Sequence, residues 1–255
     1  MKRFLLVNID TQTTNDVNTA ASVVFINTLI SPFKNLVLLV TLLLLSGQIA
    51  AQQNNVADSA YQKVIAERSA KIVNVLGITD SVQYKKVQQQ IAAQYFQLNT
   101  IHDGSKAEVA ALQASTASKE EMNEAVKSEG EKKSAALKQL HEQFIAQLKI
   151  TLTADQIEKV KDGMTYRILP VTWTAYMDML QKLTPEQKDK MYNWLVEARE
   201  LAMDEGSSDA KHAVFGKYKG RINNYLSAAG YDMKKEGEEW AKRIQAAKEA
   251  KQSQN

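Results

Sequence analysis

Leu152-Thr153-Ala154-Asp155-Gln156 and Leu183-Thr184-Pro185-Glu186-Gln187 are two copies of one pattern, L-T-x-x-Q. The pattern describes a helix start. A threonine at the N-cap accepts a hydrogen bond from the amide three residues on, and the glutamine there reaches back to the N-cap amide. Pro185 suits the first helical position, and Asp155 and Glu186 meet the positive end of the helix dipole. Leu152 is placed to staple onto Ile157. The motif therefore predicts helices opening at 154 and 185, and its physics is complete without any function.

Working outward, segment after segment reads as helix. Residues 56–76 carry an apolar stripe (Val56, Tyr61, Val64, Ile65, Ile72, Val73, Leu76) closed by Gly77. Thr79 or Asp80 caps the next helix, with Tyr84, Val87, Ile91, Tyr95, Leu98 and Ile101 on one face; His102-Asp103-Gly104 is expected to stop it, and 105–117 to be a loop or weak helix. Ser118, with Glu121 at capping-box distance, opens a long helix. Its first half, Lys119 to Ser134, is charged and expected to project into solvent, whereas Leu137, Leu140, Phe144 and Leu148 dock the second half. Beyond Leu152, helices are expected near 154–163, 171–182, 185–205, 208–229 and 231–250. Only 10 glycines and 3 prolines interrupt the 255 residues. The expected fold is all-α: a multi-helix bundle with one long, partly projecting helix. An N-terminal helical half (52–150) and a C-terminal helical half (151–255) are expected to share one core.

Residues 1–51 read as an N-terminal extension plus signal peptide. Lys34 precedes the apolar run Leu36 to Leu45, followed by Ser46-Gly47-Gln48-Ile49-Ala50-Ala51-Gln52. A charge, a short apolar stretch and small residues make an export signal rather than a membrane span, which needs about 20 apolar residues. Cleavage is expected after Ala50 or Ala51, leaving a periplasmic or secreted protein with no stable span. The polar and apolar prefix before Lys34 is unlike a signal's charged start, and translation is expected to begin near Leu29. The absence of cysteine excludes disulfides, thiolate metal sites and a cysteine nucleophile. A net charge of only +3 gives too weak a field to advertise nucleic-acid binding.

The L-T-x-x-Q pair resembles the motif of the Spy/CpxP periplasmic helical chaperones, which carry it twice. A second resemblance covers more of the chain. Asp162-Gly163-Met164-Thr165-Tyr166, Ala198-Arg199-Glu200, Gly206-Ser207-Ser208, Lys211-His212 and above all Phe215-Gly216-Lys217-Tyr218-Lys219-Gly220-Arg221-Ile222-Asn223-Asn224-Tyr225-Leu226 resemble the domain of unknown function 3826 family. Leu76-Gly77-Ile78-Thr79-Asp80 and Ile101-His102-Asp103 extend the likeness over most of the mature chain. This resemblance implies a secreted bacterial protein that binds sugar.

Read from its residues, the 215–226 block has two faces. Phe215, Tyr218, Ile222, Tyr225 and Ala229 form a core-facing stripe, and Lys217, Arg221 and Asn224 lie on another. Gly216 and Gly220 weaken the helix by about 2 kcal/mol relative to alanine, which either close helix packing or a ligand face has to offset. The candidate ligand-binding residues are Lys217, Arg221, Asn224, Tyr166, Trp173, Tyr176 and Arg199. Trp173 and Tyr176, just after Pro170, are expected to be exposed. No catalytic residue, metal ligand or cofactor is assigned: His102, His141 and His212 form no H-x-x-x-H or H-E-x-x-H pattern, and no G-x-S-x-G or phosphate-cradling loop occurs. A glycosidase dyad stays open, because its carboxylates need only meet in space. The expected function is an exported, non-catalytic binding protein or glycan-utilisation accessory whose partner is an oligo- or polysaccharide. The alternative is a Spy/CpxP-like chaperone or stress sensor.

Overall fold

The computed structural model describes residues 59–115 and 118–252. The expected export signal, its expected cleavage point and the expected start near Leu29 lie outside the described residues. The chain divides into two units, residues 1–62 and 63–255. Of the first, only residues 59–62 are described, and they are helical. The apolar core and the clefts of the fold belong to the second.

Helix α1 (residues 59–74) gives way to a turn ending at Gly77, whose φ of +71° glycine adopts without steric penalty. Asp80 then caps α2 (Ser81–Gln113), accepting from the Val82 and Gln83 amides at 2.7 and 2.9 Å. Ser118 and Glu121 form the expected reciprocal box at the start of α3 (Lys119–Thr151). The remaining helices are α4 (Ala154–Met164), α5 (Ile168–Met179), α6 (Pro185–Met203), α7 (Ser208–Ala228) and α8 (Met233–Gln252). Among the described residues there is no strand, and no helix is long and apolar enough to cross a membrane. The fold is an all-α multi-helix bundle.

One expected stop is absent. Helix α2 runs straight through His102-Asp103-Gly104 to Gln113 and pairs with α3. A Cβ on Gly104 would meet nothing, so this glycine marks no close approach, and the helix formers Lys106 to Leu112 carry the helix past it. The projecting element is thus two helices. No residue of α2 beyond Leu98, and none of α3 before Leu140, is buried.

Both L-T-x-x-Q starts are capping boxes. Gln156 and Gln187 donate backbone amides to Thr153 Oγ1 and Thr184 Oγ1 at 3.3 and 3.2 Å. Their side-chain Oε1 atoms accept from the two threonine amides at 3.0 and 2.9 Å. Each glutamine also makes a tertiary contact. Gln156 Nε2 donates to the Leu76 carbonyl at 3.0 Å, tying α4 to the end of α1, and Gln187 Oε1 accepts from the Tyr231 hydroxyl at 2.9 Å. Thr153→Ala and Thr184→Ala are each expected to destabilise by about 1 kcal/mol in urea melts while leaving ligand binding intact.

Among the described residues the apolar side chains gather in two clusters. Ile72, Val87, Ile91, Phe144, Leu148, Val160 and Met164 centre the first, built from α1 to α4 with Met203 from the end of α6. Leu180, Met191, Leu195, Phe215, Ile222 and Leu226 centre the second, built from α5 to α7. Helix α6 feeds both, since Ala202 belongs to the second and Met203 to the first. Helix α8 docks through Trp240, whose indole N–H donates to Asp178 at 2.6 Å. Its Arg243 donates to the Asp178 and Met179 carbonyls at the negative end of α5.

Candidate functional site

At Gly163 the backbone of α4 lies close against Ile72 of α1. A Cβ there would stand 2.7 Å from Ile72 Cγ1, so only glycine lets the helices meet. Above this contact opens a cleft of about 640 Å³. Arg68, Lys71 and Ile72 of α1, with Val75 in the turn after it, form one wall; Lys159 and Asp162 of α4 form another. Tyr95 of α2 and the stretch Tyr166, Arg167 and Pro170 complete it.

That last stretch is conformationally unusual. Helix α4 ends at Thr165, whose buried hydroxyl donates back to the Lys161 carbonyl at 2.8 Å. Tyr166 and Arg167 then both take left-handed conformations, with φ of +57° and +58°. Side chains with a Cβ occupy that region at a cost of roughly 1–2 kcal/mol each. The Arg167 amide donates to the Asp162 carbonyl at 2.7 Å, closing the turn that holds them. The result presents Tyr166, 43% exposed, at the rim of the cleft, with its ring stacked on His212 of α7 at 5.7 Å between centroids. Backbone held in this region beside a concave surface makes the stretch a candidate functional site.

Charge at the cleft is one-sided. Arg68, Lys71, Lys159 and Arg167 are exposed, and among the described residues none of the four makes an ion pair. The carboxylate on the wall, Asp162, is already committed: Arg199 Nη1 donates to its Oδ1 at 2.7 Å. Arg199 is 2% exposed and also binds Glu158 through Nη2, with Glu200 at 3.4 Å. It therefore stands behind the cleft, outside its lining, with its guanidinium engaged by carboxylates of α4 and α6.

The other sequence candidates scatter. Tyr166 alone of the seven lines the cleft. Tyr176 is not exposed: it is 6% accessible, its hydroxyl donates to Asn223 Oδ1 at 2.8 Å, and burial pushes its pKa up to about 12. Trp173 is half-buried, edge-on to Tyr192 at 5.1 Å. Both point inward because α5 starts at Ile168, earlier than expected, with Pro170 in its first turn, where no amide proton is required. Lys217, Arg221 and Asn224 do share an exposed face of α7. Arg221 there lies over the Trp194 ring at 4.3 Å and 3.6 Å from Glu197. Gly216 and Gly220 face open space, so no helix packs closely against them. The cationic wall escapes a sequence reading because Arg68 and Lys71 look like a solvated helix face, and Lys159 and Arg167 lie far along the chain. The signal that could have found it is the Tyr166-Arg167 pair just beyond Asp162-Gly163.

A second cluster of ionisable groups holds α3 to α6. His141 Nδ1 lies 3.0 Å from Asp204 and its Nε2 3.4 Å from Glu200, and Lys161 reaches Glu200 at 3.0 Å. Hydrogen bonds to Asp204 and then Glu200 raise the His141 pKa to about 9 against the loss of solvation. Nearby, Lys211 is 4% exposed and donates to the Ala202 and Met203 carbonyls at 2.9 and 3.0 Å, capping α6. Burial lowers its pKa to about 8. These shifts act in opposite senses. The His141 contribution is complete below pH 6.5 and is lost as pH rises towards 9, whereas the penalty for burying charged Lys211 fades only above about 8. Stability is therefore expected to fall by about 1 kcal/mol between pH 6.5 and 8, after allowance for solvent screening. Urea melts of His141→Gln should be flat over that window; an equal slope in the variant would move the effect elsewhere.

A comparison with curated proteins found no match. The sequence model of the family described as "Protein of unknown function (DUF3826)" matches residues 62–246, which take in α2 to α7, the cleft and the ion cluster. The chain belongs to the DUF3826 family.

Proposed function

We propose that this chain is an exported, non-catalytic binding protein whose ligand is a carbohydrate, held in the cleft over Gly163. The observation that carries the reading is the left-handed pair Tyr166-Arg167, which puts an aromatic and a cationic residue together on the lining of a concave site. An aromatic face together with forked donors suits a ring rich in hydroxyls. Asp162 is tied to Arg199, so the cleft wall offers no free carboxylate pair of the kind glycoside hydrolysis needs. Export rests on Lys34, the apolar run Leu36 to Leu45 and the small residues that come after it.

Calorimetric titration with a panel of neutral and acidic oligosaccharides tests the reading. Tyr166→Ala should weaken binding at least tenfold without lowering the melting temperature. Arg167→Gly should weaken binding yet stabilise the fold by up to about 1 kcal/mol, because glycine relieves the positive φ. If Lys217→Ala/Arg221→Ala/Asn224→Ala abolishes binding while Tyr166→Ala does not, the site lies on α7 instead. Export is tested separately by N-terminal sequencing, expected to begin at Ala51 or Gln52. The Spy/CpxP-like alternative would be favoured by suppression of client aggregation, with no saccharide bound.

A further inference from the structure

We infer that the ligand of this cleft is an acidic saccharide, one whose rings carry carboxylate or sulfate groups; this rests on the carbohydrate reading and adds the ligand's charge. Arg68, Lys71, Lys159 and Arg167 come from α1, α4 and the turn after α4, so positive charge faces the cleft from three elements. Arg68 and Lys71 are one helical turn apart, about 4.5 Å along the axis, and present a pair of cations on one wall. None of the four is neutralised by an ion pair among the described residues, and Asp162 is neutralised by Arg199.

A neutral sugar would leave this excess uncompensated while shedding water from four charged heads. A chain bearing anions along its length compensates it, and guanidinium groups bind carboxylate and sulfate oxygens through paired N–H donors. Val75, 59% exposed, and the Tyr166 ring supply apolar surface for the sugar faces between those anions. The cleft thereby combines features that a site for simple inorganic anions would not need.

The test is calorimetric titration of the full chain with four probes: an oligogalacturonate, the neutral galacto-oligosaccharide of equal length, a heparin-derived tetrasaccharide, and inorganic tripolyphosphate. One of the two acidic saccharides should bind at least tenfold tighter than the neutral one, and which of them does so identifies the acid group. Its affinity should fall as salt rises. Arg68→Gln and Lys159→Gln, both at exposed positions, should each lower that affinity about tenfold with unchanged melting temperature. Tyr166→Ala should lower it as well. If the neutral saccharide binds equally well and the two glutamine variants change nothing, the acidic-ligand inference fails and the carbohydrate reading stands. If tripolyphosphate binds as tightly as any saccharide and Tyr166→Ala has no effect, the site takes anions without a sugar, and the carbohydrate reading fails with it. Binding of none of the four overturns both.

Discussion

Arg199→Met is expected to destabilise the protein by about 3 kcal/mol, the low end of the scale for breaking a buried ion pair. Glu158 and Glu200 keep part of their water and stay paired with Lys161, which limits the loss. Arg199 is 2% exposed and answers Glu158 and Asp162 with separate nitrogens, so its loss strands carboxylates of α4 opposite Glu200 of α6. Burial works against its charge, but its hydrogen bonds to Asp162 and Glu158 more than restore it, which raises its pKa. Arg199→Lys should recover only part of the loss, because one ammonium does not reproduce a fork that reaches both carboxylates. Adding Glu158→Gln and Asp162→Asn to Arg199→Met should recover more, since the stranded charge disappears. Guanidinium melts of the four proteins measure this order directly. A loss under about 1 kcal/mol for Arg199→Met, the scale of an exposed pair, would mean that water takes over the guanidinium's role and that the cluster is peripheral.

Phe215→Ala should produce a loss of similar size, about 3–5 kcal/mol, by a different route. Its ring is fully buried at the centre of the second cluster, with Leu195, Ile222 and Leu226. Truncation leaves a cavity among helices α5, α6 and α7 that each contribute other fixed side chains. Tyr218→Ala, on the same helix but half-buried, should lose less than half as much. Equal losses at the two positions would contradict the burial pattern. Neither substitution touches the cleft, so affinity for a ligand there should survive in the folded fraction.

That contrast also marks how far the sequence can be read. Spacing alone puts Phe215, Tyr218, Ile222, Tyr225 and Ala229 on one stripe, but the buried line runs through Lys211, Phe215, Ile222 and Leu226, with Ala229 exposed. Periodicity finds an apolar side of a helix to within one residue's rotation; the neighbouring helices decide which edge of it is sealed. A lysine in that line is invisible to periodicity, because its burial depends on two carbonyls left over at the end of α6. Caps are legible at Ser118, Thr153 and Thr184 because their physics is local. The cleft is not, because its cations come from positions 68 to 167 and converge only when Gly163 lets α1 settle onto α4.

The paired outer lengths of α2 and α3 have a consequence for how the protein opens. Each helix has 33 residues, about 50 Å of helix, yet burial is confined to Val87–Leu98 on one and Leu140–Leu148 on the other. Between Ser105 and Lys133 the seam consists of half-buried side chains such as Val109, Leu112, Met122 and Val126. Amide protons there are guarded by intrahelical bonds and a thin apolar line, so they exchange through local fraying at a small fraction of the global unfolding free energy. Exchange rates should form a gradient that slows from Gln113 back towards Leu98, and from Lys119 forward towards Leu140. A protease that cuts after lysine should nick this hairpin at Lys127, Lys132 or Lys133 while the two apolar clusters stay folded. That pattern of exchange and cleavage would make the outer ends of α2 and α3 the first part of the fold to open.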